Sequence, residues 1–219
     1  MARPGKPSKP GPRSSESSAQ TREALVRAAI ETLRADGFAR TSARAIAGRA
    51  ESNQSLIFYH FGSVANLLLA ALDEVSADRL ARYGATAAQA GSLTELVDVA
   101  EGIFQEDLDE GHATVLAELV SGAASVPGFG AEVAARLRSW TQFAQGAVER
   151  AAGSSALATA VPAEDVAYSL IALYLGLEML SHLDGDRTRA LALFDRAKQL
   201  AVLAEALGFA APAKKKESS

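Results

Sequence analysis

Twenty residues, Ser42 to Phe61 (SARAIAGRAESNQSLIFYHF), leave this chain little freedom in what it can become. Ala43, Ile46, Ala47 and Ala50 fall on one face of a helix, with Arg44 and Arg49 free to point outward and Ser42 placed to cap its start. Glu51-Ser52-Asn53 then brings side chains that compete for backbone hydrogen bonds, so one helix ends there and a second is capped. From Gln54 on, Leu56, Ile57 and Phe61 can turn inward, which leaves Gln54, Ser55, Tyr59 and His60 as a polar set without a carboxylate among them. Two short helices across a tight break are too small to fold alone and need a helix behind them. A helix that shows amide, hydroxyl and imidazole groups suits the major groove, where base edges present donors and acceptors. The spacing is that of a helix-turn-helix.

The longer run from Gly37 to Leu67 resembles the DNA-binding domain of TetR-family transcriptional regulators. The matching positions are the Gly37-Phe38 helix stop, the Ile46-Ala47 pair, Ala50, the His60-Phe61 pair, Ser63 and Leu67. The resemblance covers about the first third of the chain; beyond it the likeness is architectural. It implies a dimer that binds double-stranded DNA at a palindromic operator and is released by a small-molecule effector, most of the family being repressors. Carried over by position, it assigns Gln54, Ser55 and Tyr59 to base edges and Ser42, Arg44 and His60 to phosphates. Three departures stand out. Glu51-Ser52 occupies the turn where the family usually has Gly-Val, Phe58 replaces its usual tyrosine, and Val64 stands where it commonly places a phosphate-binding lysine.

Charge distribution points the same way. The net charge of the 219 residues is -4, yet residues 1–60 hold ten Lys/Arg against five Asp/Glu, and the remainder twelve against twenty-one. A basic surface therefore accompanies the helix-turn-helix, as phosphate neutralisation requires, although a solvated basic face would give the same count. Hydrophobic residues make up 48% of the chain, enough for a real core. Absence of cysteine excludes disulfides and thiolate metal sites and fits a reducing cytoplasm. No unbroken apolar run approaches the ~20 residues of a membrane span, and the basic N-terminus lacks the apolar core of a secretory signal. The expectation is a soluble cytoplasmic protein with no membrane partner.

Helical periodicity continues to the end with no sustained strand alternation, so the expected fold is all-α: an N-terminal three-helix DNA-binding domain and a larger helical ligand-binding and dimerisation domain. Expected boundaries are a disordered basic arm over 1–16, the helix-turn-helix domain over 17–62, the second domain over 63–208 and a disordered tail over 209–219. The arm could follow the DNA backbone or serve only solubility. A long helix is expected from Ser63 to about Tyr83. The last two helices are apolar over more than one face, which fits either a four-helix bundle with a second copy or an internal hairpin.

Catalytic constellations are thin: no phosphate loop and no nucleophile elbow. Glu178 and His182 have metal-compatible i, i+4 spacing, but two ligands do not make a site, so no metal, cofactor or catalytic residue is expected. Phe104, Trp140, Phe143 and Tyr174 read either as ordinary core or as the lining of a cavity for a mostly apolar effector. Glu118 and Glu178 are the candidate polar groups, because Glu178 interrupts an apolar run where an unpaired carboxylate is costly. The competing function is an all-α ligand-binding or catalytic protein whose helix-turn-helix no longer binds DNA.

Overall fold

The computed structural model describes residues 12–153 and 160–208. The described residues form α-helices with two short 3-10 turns and no strand, as the periodicity predicts. By packing they divide into two compact units, one up to Ala71 and one from Leu72 onward.

In the first unit, α1 (Pro12–Asp36) buries Leu25, Val26, Ala28, Ala29 and Leu33. It begins earlier than the sequence suggested. Residues 12–16, expected in the arm, are helical, while 1–11 lie outside the described residues. Proline explains the early start: at the first helical position its fixed φ is already helical and its missing N–H is not needed. Thr32, wholly buried, donates its hydroxyl to the Ala28 carbonyl (2.6 Å), so no polar group is stranded in the core. The helix ends at Gly37, whose φ of 76° is in the region that favours glycine. Next come α2 (Ala43–Arg49) and α3 (Gln54–Phe61), with α2 packed on both α1 and α3. Ile46, Ala47, Ile57 and Phe61 are the buried residues that hold the pair.

Helix α4 (Val64–Gln89) supplies its first two turns to the first unit and the rest to the second. It runs six residues past the expected end at Tyr83, because Gly84 falls within an alanine-rich stretch and Tyr83, Ala87 and Ala90 are all buried. The second unit continues with α5 (Leu93–Glu110), α6 (His112–Gly122), α7 (Phe129–Ala152), α8 (Ala163–Asp184) and α9 (Thr188–Ala206). Ser92 caps α5 through the Glu95 N–H, and Glu95 reaches back past the cap to accept the Gly91 N–H (2.8 Å), a reciprocal pair close to a capping box. Helix α8 packs mainly on α7 and α9 mainly on α5. Tyr83, Ile103 and Trp140 centre one cluster, and Phe104, Ala190 and Phe194 centre another. The expected tail, 209–219, lies outside the described residues.

Ten large apolar side chains of α8 and α9 stay between 41% and 75% exposed, among them Leu173, Leu180, Leu183, Leu200 and Leu203. Helix α8, at 22 residues, is long and apolar enough to cross a membrane by length and composition. No unbroken apolar run betrays it in the sequence, because Glu178 divides the stretch.

Candidate nucleic-acid interface and ligand cavity

The recognition element is fixed at both ends by its own sequence. Ser42 accepts the Ala45 N–H (3.2 Å) at the start of α2, and Asn53 accepts the Ser55 N–H (2.9 Å) at the start of α3. Between them the chain reverses in a Schellman motif: Ser52 N–H donates to the Ala47 carbonyl (2.9 Å) and Glu51 N–H to that of Gly48 (3.3 Å). This motif demands a left-handed residue, and Glu51 takes that position with φ 48°. Among the described residues Glu51 alone has a positive φ without being glycine. At the far end, Asn66 donates from its side chain to the Phe61 carbonyl (2.8 Å), and Ser63 caps α4 by accepting the Asn66 N–H (3.1 Å).

With its ends set, α3 has one outward face. Ile57 and Phe61 are buried, and the Arg22 guanidinium lies 5.1 Å from the Phe61 ring centre. Gln54 and Ser55 are exposed, Phe58 is half-exposed and Tyr59 is 79% exposed. His60 is half-buried, edge-on to the rings of Tyr59 (5.0 Å) and Phe61 (6.3 Å). Ser42 and Arg44 are exposed at the start of α2, and Val64, at the first position of α4, is half-buried. No acidic side chain interrupts α3, so its surface offers donors, acceptors and an aromatic edge.

The second unit holds a partly open cavity of about 620 Å3, walled by residues of α4, α5, α7, α8 and α9. Its wall is apolar except for Arg79, Tyr174 and Glu149. Trp140, Phe143 and Tyr174 stand on it; Phe104, Glu118 and Glu178 do not. Ile103 reaches the wall, whereas Phe104, a helical step of about 100° away, is wholly buried against Phe194 (5.2 Å) and Tyr174 (5.7 Å). Glu118 is on α6, which contributes nothing to the wall. Glu178 follows the wall residue Leu177 and is turned into the protein, 3% exposed.

Behind the wall is a polar centre that periodicity alone passed over. Asp107, wholly buried, pairs with Arg79, accepts the Tyr174 hydroxyl (2.5 Å) and faces His112 Nδ1 (3.3 Å). The Arg79 guanidinium also stacks over Trp140, 4.4 Å from the ring centre. Glu178 adjoins Arg79 and Tyr174, but its Oε1 has no hydrogen-bond partner among the described residues. Burial pushes its carboxyl up to about 7, against the pull of the Arg79 charge and the nearby Tyr174 hydroxyl. Burial, reinforced by Glu178, likewise raises the Tyr174 hydroxyl well above the ordinary tyrosine range. A signal for this centre exists in the sequence: Leu72, Val75, Arg79 and Tyr83 share one helical stripe, and a cation inside such a stripe needs a buried acid. His182, considered with Glu178 as a metal pair, is exposed. Among the described residues no three His, Cys, Asp or Glu side chains gather as metal ligands.

Residues 25–71 match the family model of bacterial regulatory proteins of the tetR family. The fold is shared with solved structures of such regulators. A TetR-family transcriptional regulator from Cytophaga hutchinsonii superposes with a TM-score of 0.70 at 15% identity, covering 90% of this chain and 98% of that one. A TetR transcriptional regulator from Legionella pneumophila gives 0.66 at 18%, covering 83% and 97%. The fatty acid degradation regulator FadR from Bacillus halodurans gives 0.67 at 14%, covering 89% and 96%. No curated protein matches the chain in sequence. The helix-turn-helix is therefore of the TetR family, and the chain has the fold of TetR-family transcriptional regulators.

Proposed function

We propose that this chain, with a TetR-family helix-turn-helix on a TetR-type fold, acts as a dimeric, sequence-specific repressor in the cytoplasm, released from its operator by a mostly apolar small molecule. The observation that carries the DNA-binding half is α3 itself. It is eight residues long, capped by Asn53, anchored by Ile57 and Phe61, and open to solvent along Gln54, Ser55 and Tyr59. Such a helix enters the major groove by its N-terminal residues while its partner helix crosses the backbone. Gln54, Ser55 and Tyr59 then read bases, and Ser42, Arg44 and His60 hold phosphates. No reaction is needed for this role.

Effector binding is supported by the 620 Å3 cavity, a volume within the range of small-molecule sites, with an apolar wall and Arg79 and Tyr174 as its orienting groups. Glu178, away from the wall, acts on those two residues and not on the ligand. Release follows when the ligand binds more tightly to a conformation that cannot seat both recognition helices. Helix α4, with residues in both units, is the covalent path.

The test is a gel shift with DNA flanking the protein's own gene. Gln54→Ala should lose about 1–3 kcal/mol at one base position and relax preference there, whereas Arg44→Ala should weaken all sequences alike and lower the salt slope by about one. If no fragment is retained at low salt, the alternative of an all-α ligand-binding or catalytic protein with a silent helix-turn-helix takes its place.

A further inference from the structure

We infer that the ligand chamber is finished only by a second copy of the chain, so that ligand binding and dimerisation strengthen each other. This rests on the proposed dimer and apolar effector, and adds a linkage that neither requires. The observation is a shared set of side chains. Leu170 and Leu173 of α8 and Leu193 and Leu200 of α9 belong to the cavity wall, yet they are 41%, 58%, 47% and 67% exposed. A wall residue that is half in water marks the side on which the cavity is open. All four lie on the two helices that also carry the unpartnered apolar face, so whatever covers that face also roofs the cavity.

A second copy is the occupant the observations favour. A stable interface takes about 800 Å2 from each partner, and ten large apolar side chains at 41–75% exposure on two helices supply much of that. An operator-binding dimer needs a self-complementary patch, and two helices from each copy make a four-helix bundle. Without the partner, a ligand in the chamber keeps part of its surface in water; with it, that surface is buried. By thermodynamic reciprocity, a ligand that binds the dimer more tightly than the monomer must tighten the dimer by the same factor for each chamber filled.

The experiment uses the full chain, sedimentation velocity over a dilution series, and the neutral apolar fluorophore N-phenyl-1-naphthylamine as probe. The double variant Leu180→Arg, Leu203→Arg breaks the apolar face at positions off the cavity wall. Expected are a dimeric parent that binds the probe, a helical monomeric variant that binds it tenfold or more weakly, and a parent dimer that dissociates at tenfold or more lower concentration when saturated with probe. Should the variant not fold, the same linkage must appear in the parent alone, as probe affinity that falls when the dimer is diluted apart. A folded monomer that binds the probe as the parent does would overturn the inference while leaving the dimer reading intact. A parent that is monomeric throughout, or that sediments with lipid vesicles in place of pairing, would overturn the dimer reading itself, and a dimer that ignores the probe would overturn the apolar effector.

Discussion

Replacing Glu51 by glycine should make the protein more stable, although it removes every side-chain contact at that position. Glu51 sits at the left-handed position of the Schellman motif that closes α2, with φ 48°. A residue with a Cβ pays about 1–2 kcal/mol there. Glycine escapes that strain but loses about 0.5–1 kcal/mol through the greater freedom of its unfolded chain. The balance is a gain of roughly 0.5–1 kcal/mol, or a few degrees in Tm at about 2–4 °C per kcal/mol for a chain of this size. Glu51→Ala keeps the Cβ and the strain, so it should stay within about 0.5 kcal/mol of the parent. Chemical denaturation of the three proteins by circular dichroism reads the difference. If glycine and alanine variants unfold at the same denaturant concentration, the backbone at this turn is not strained and the argument fails. Charge separates cleanly from strain through Glu51→Gln. It should leave stability near the parent's but tighten operator binding at low salt, with the gain fading as salt screens it.

Three further outcomes follow from the described geometry. Val64 occupies the first position of α4 beside the Ser63 cap, so Val64→Lys should tighten operator binding and steepen its salt dependence by about one unit of slope; unchanged affinity across a salt titration would show that no phosphate passes there. Asp107→Asn leaves the Arg79 charge buried without its paired carboxylate and should cost about 3–5 kcal/mol in denaturant titration, far more than an exposed pair such as Arg187 with Asp109 would. Glu178 is raised from 4.5 to about 7 by burial, so its contribution to stability is complete below about pH 4.5 and is lost as pH rises through 7. Glu178→Gln cannot titrate, and its Tm relative to the parent should therefore climb between about pH 5 and pH 8; a constant difference would mean that the carboxyl does not change charge in that window.

How much of this was legible beforehand depends on the range of the rule involved. Capping is local, and Ser42, Asn53 and Ser92 each cap as their neighbours dictate. Periodicity is also local, so the inward faces of α1 to α3 followed from spacing, as did Trp140, Phe143 and Tyr174 as inward residues. What spacing cannot say is whether inward faces meet or stand apart. Phe104 and Ile103 are neighbours with similar chemistry, yet one is packed against Phe194 and the other stands on a cavity. Glu178 stands out in the sequence for its unpaired charge, but the Arg79 beside it comes from a helix about a hundred residues earlier, and only the folded chain brings them together. The start of α1 at Pro12 escapes for a different reason: serine- and proline-rich composition resembles an arm, although proline at a first helical position is favourable.

The Asp107 carboxylate ties Arg79 of α4, His112 of α6 and Tyr174 of α8 to its own helix, α5. Changing any one of the four alone strands a partner: losing the acid leaves a buried cation, losing the cation leaves a buried anion, and either ring's loss leaves a carboxylate oxygen short of a hydrogen bond. Drift at these positions is therefore trapped between costly single steps. Homologues should keep the quartet whole or exchange it together for an apolar set, and a lineage that has made the exchange should show it at all four sites at once. The centre would then mark descent among sequences whose second units have otherwise diverged beyond alignment.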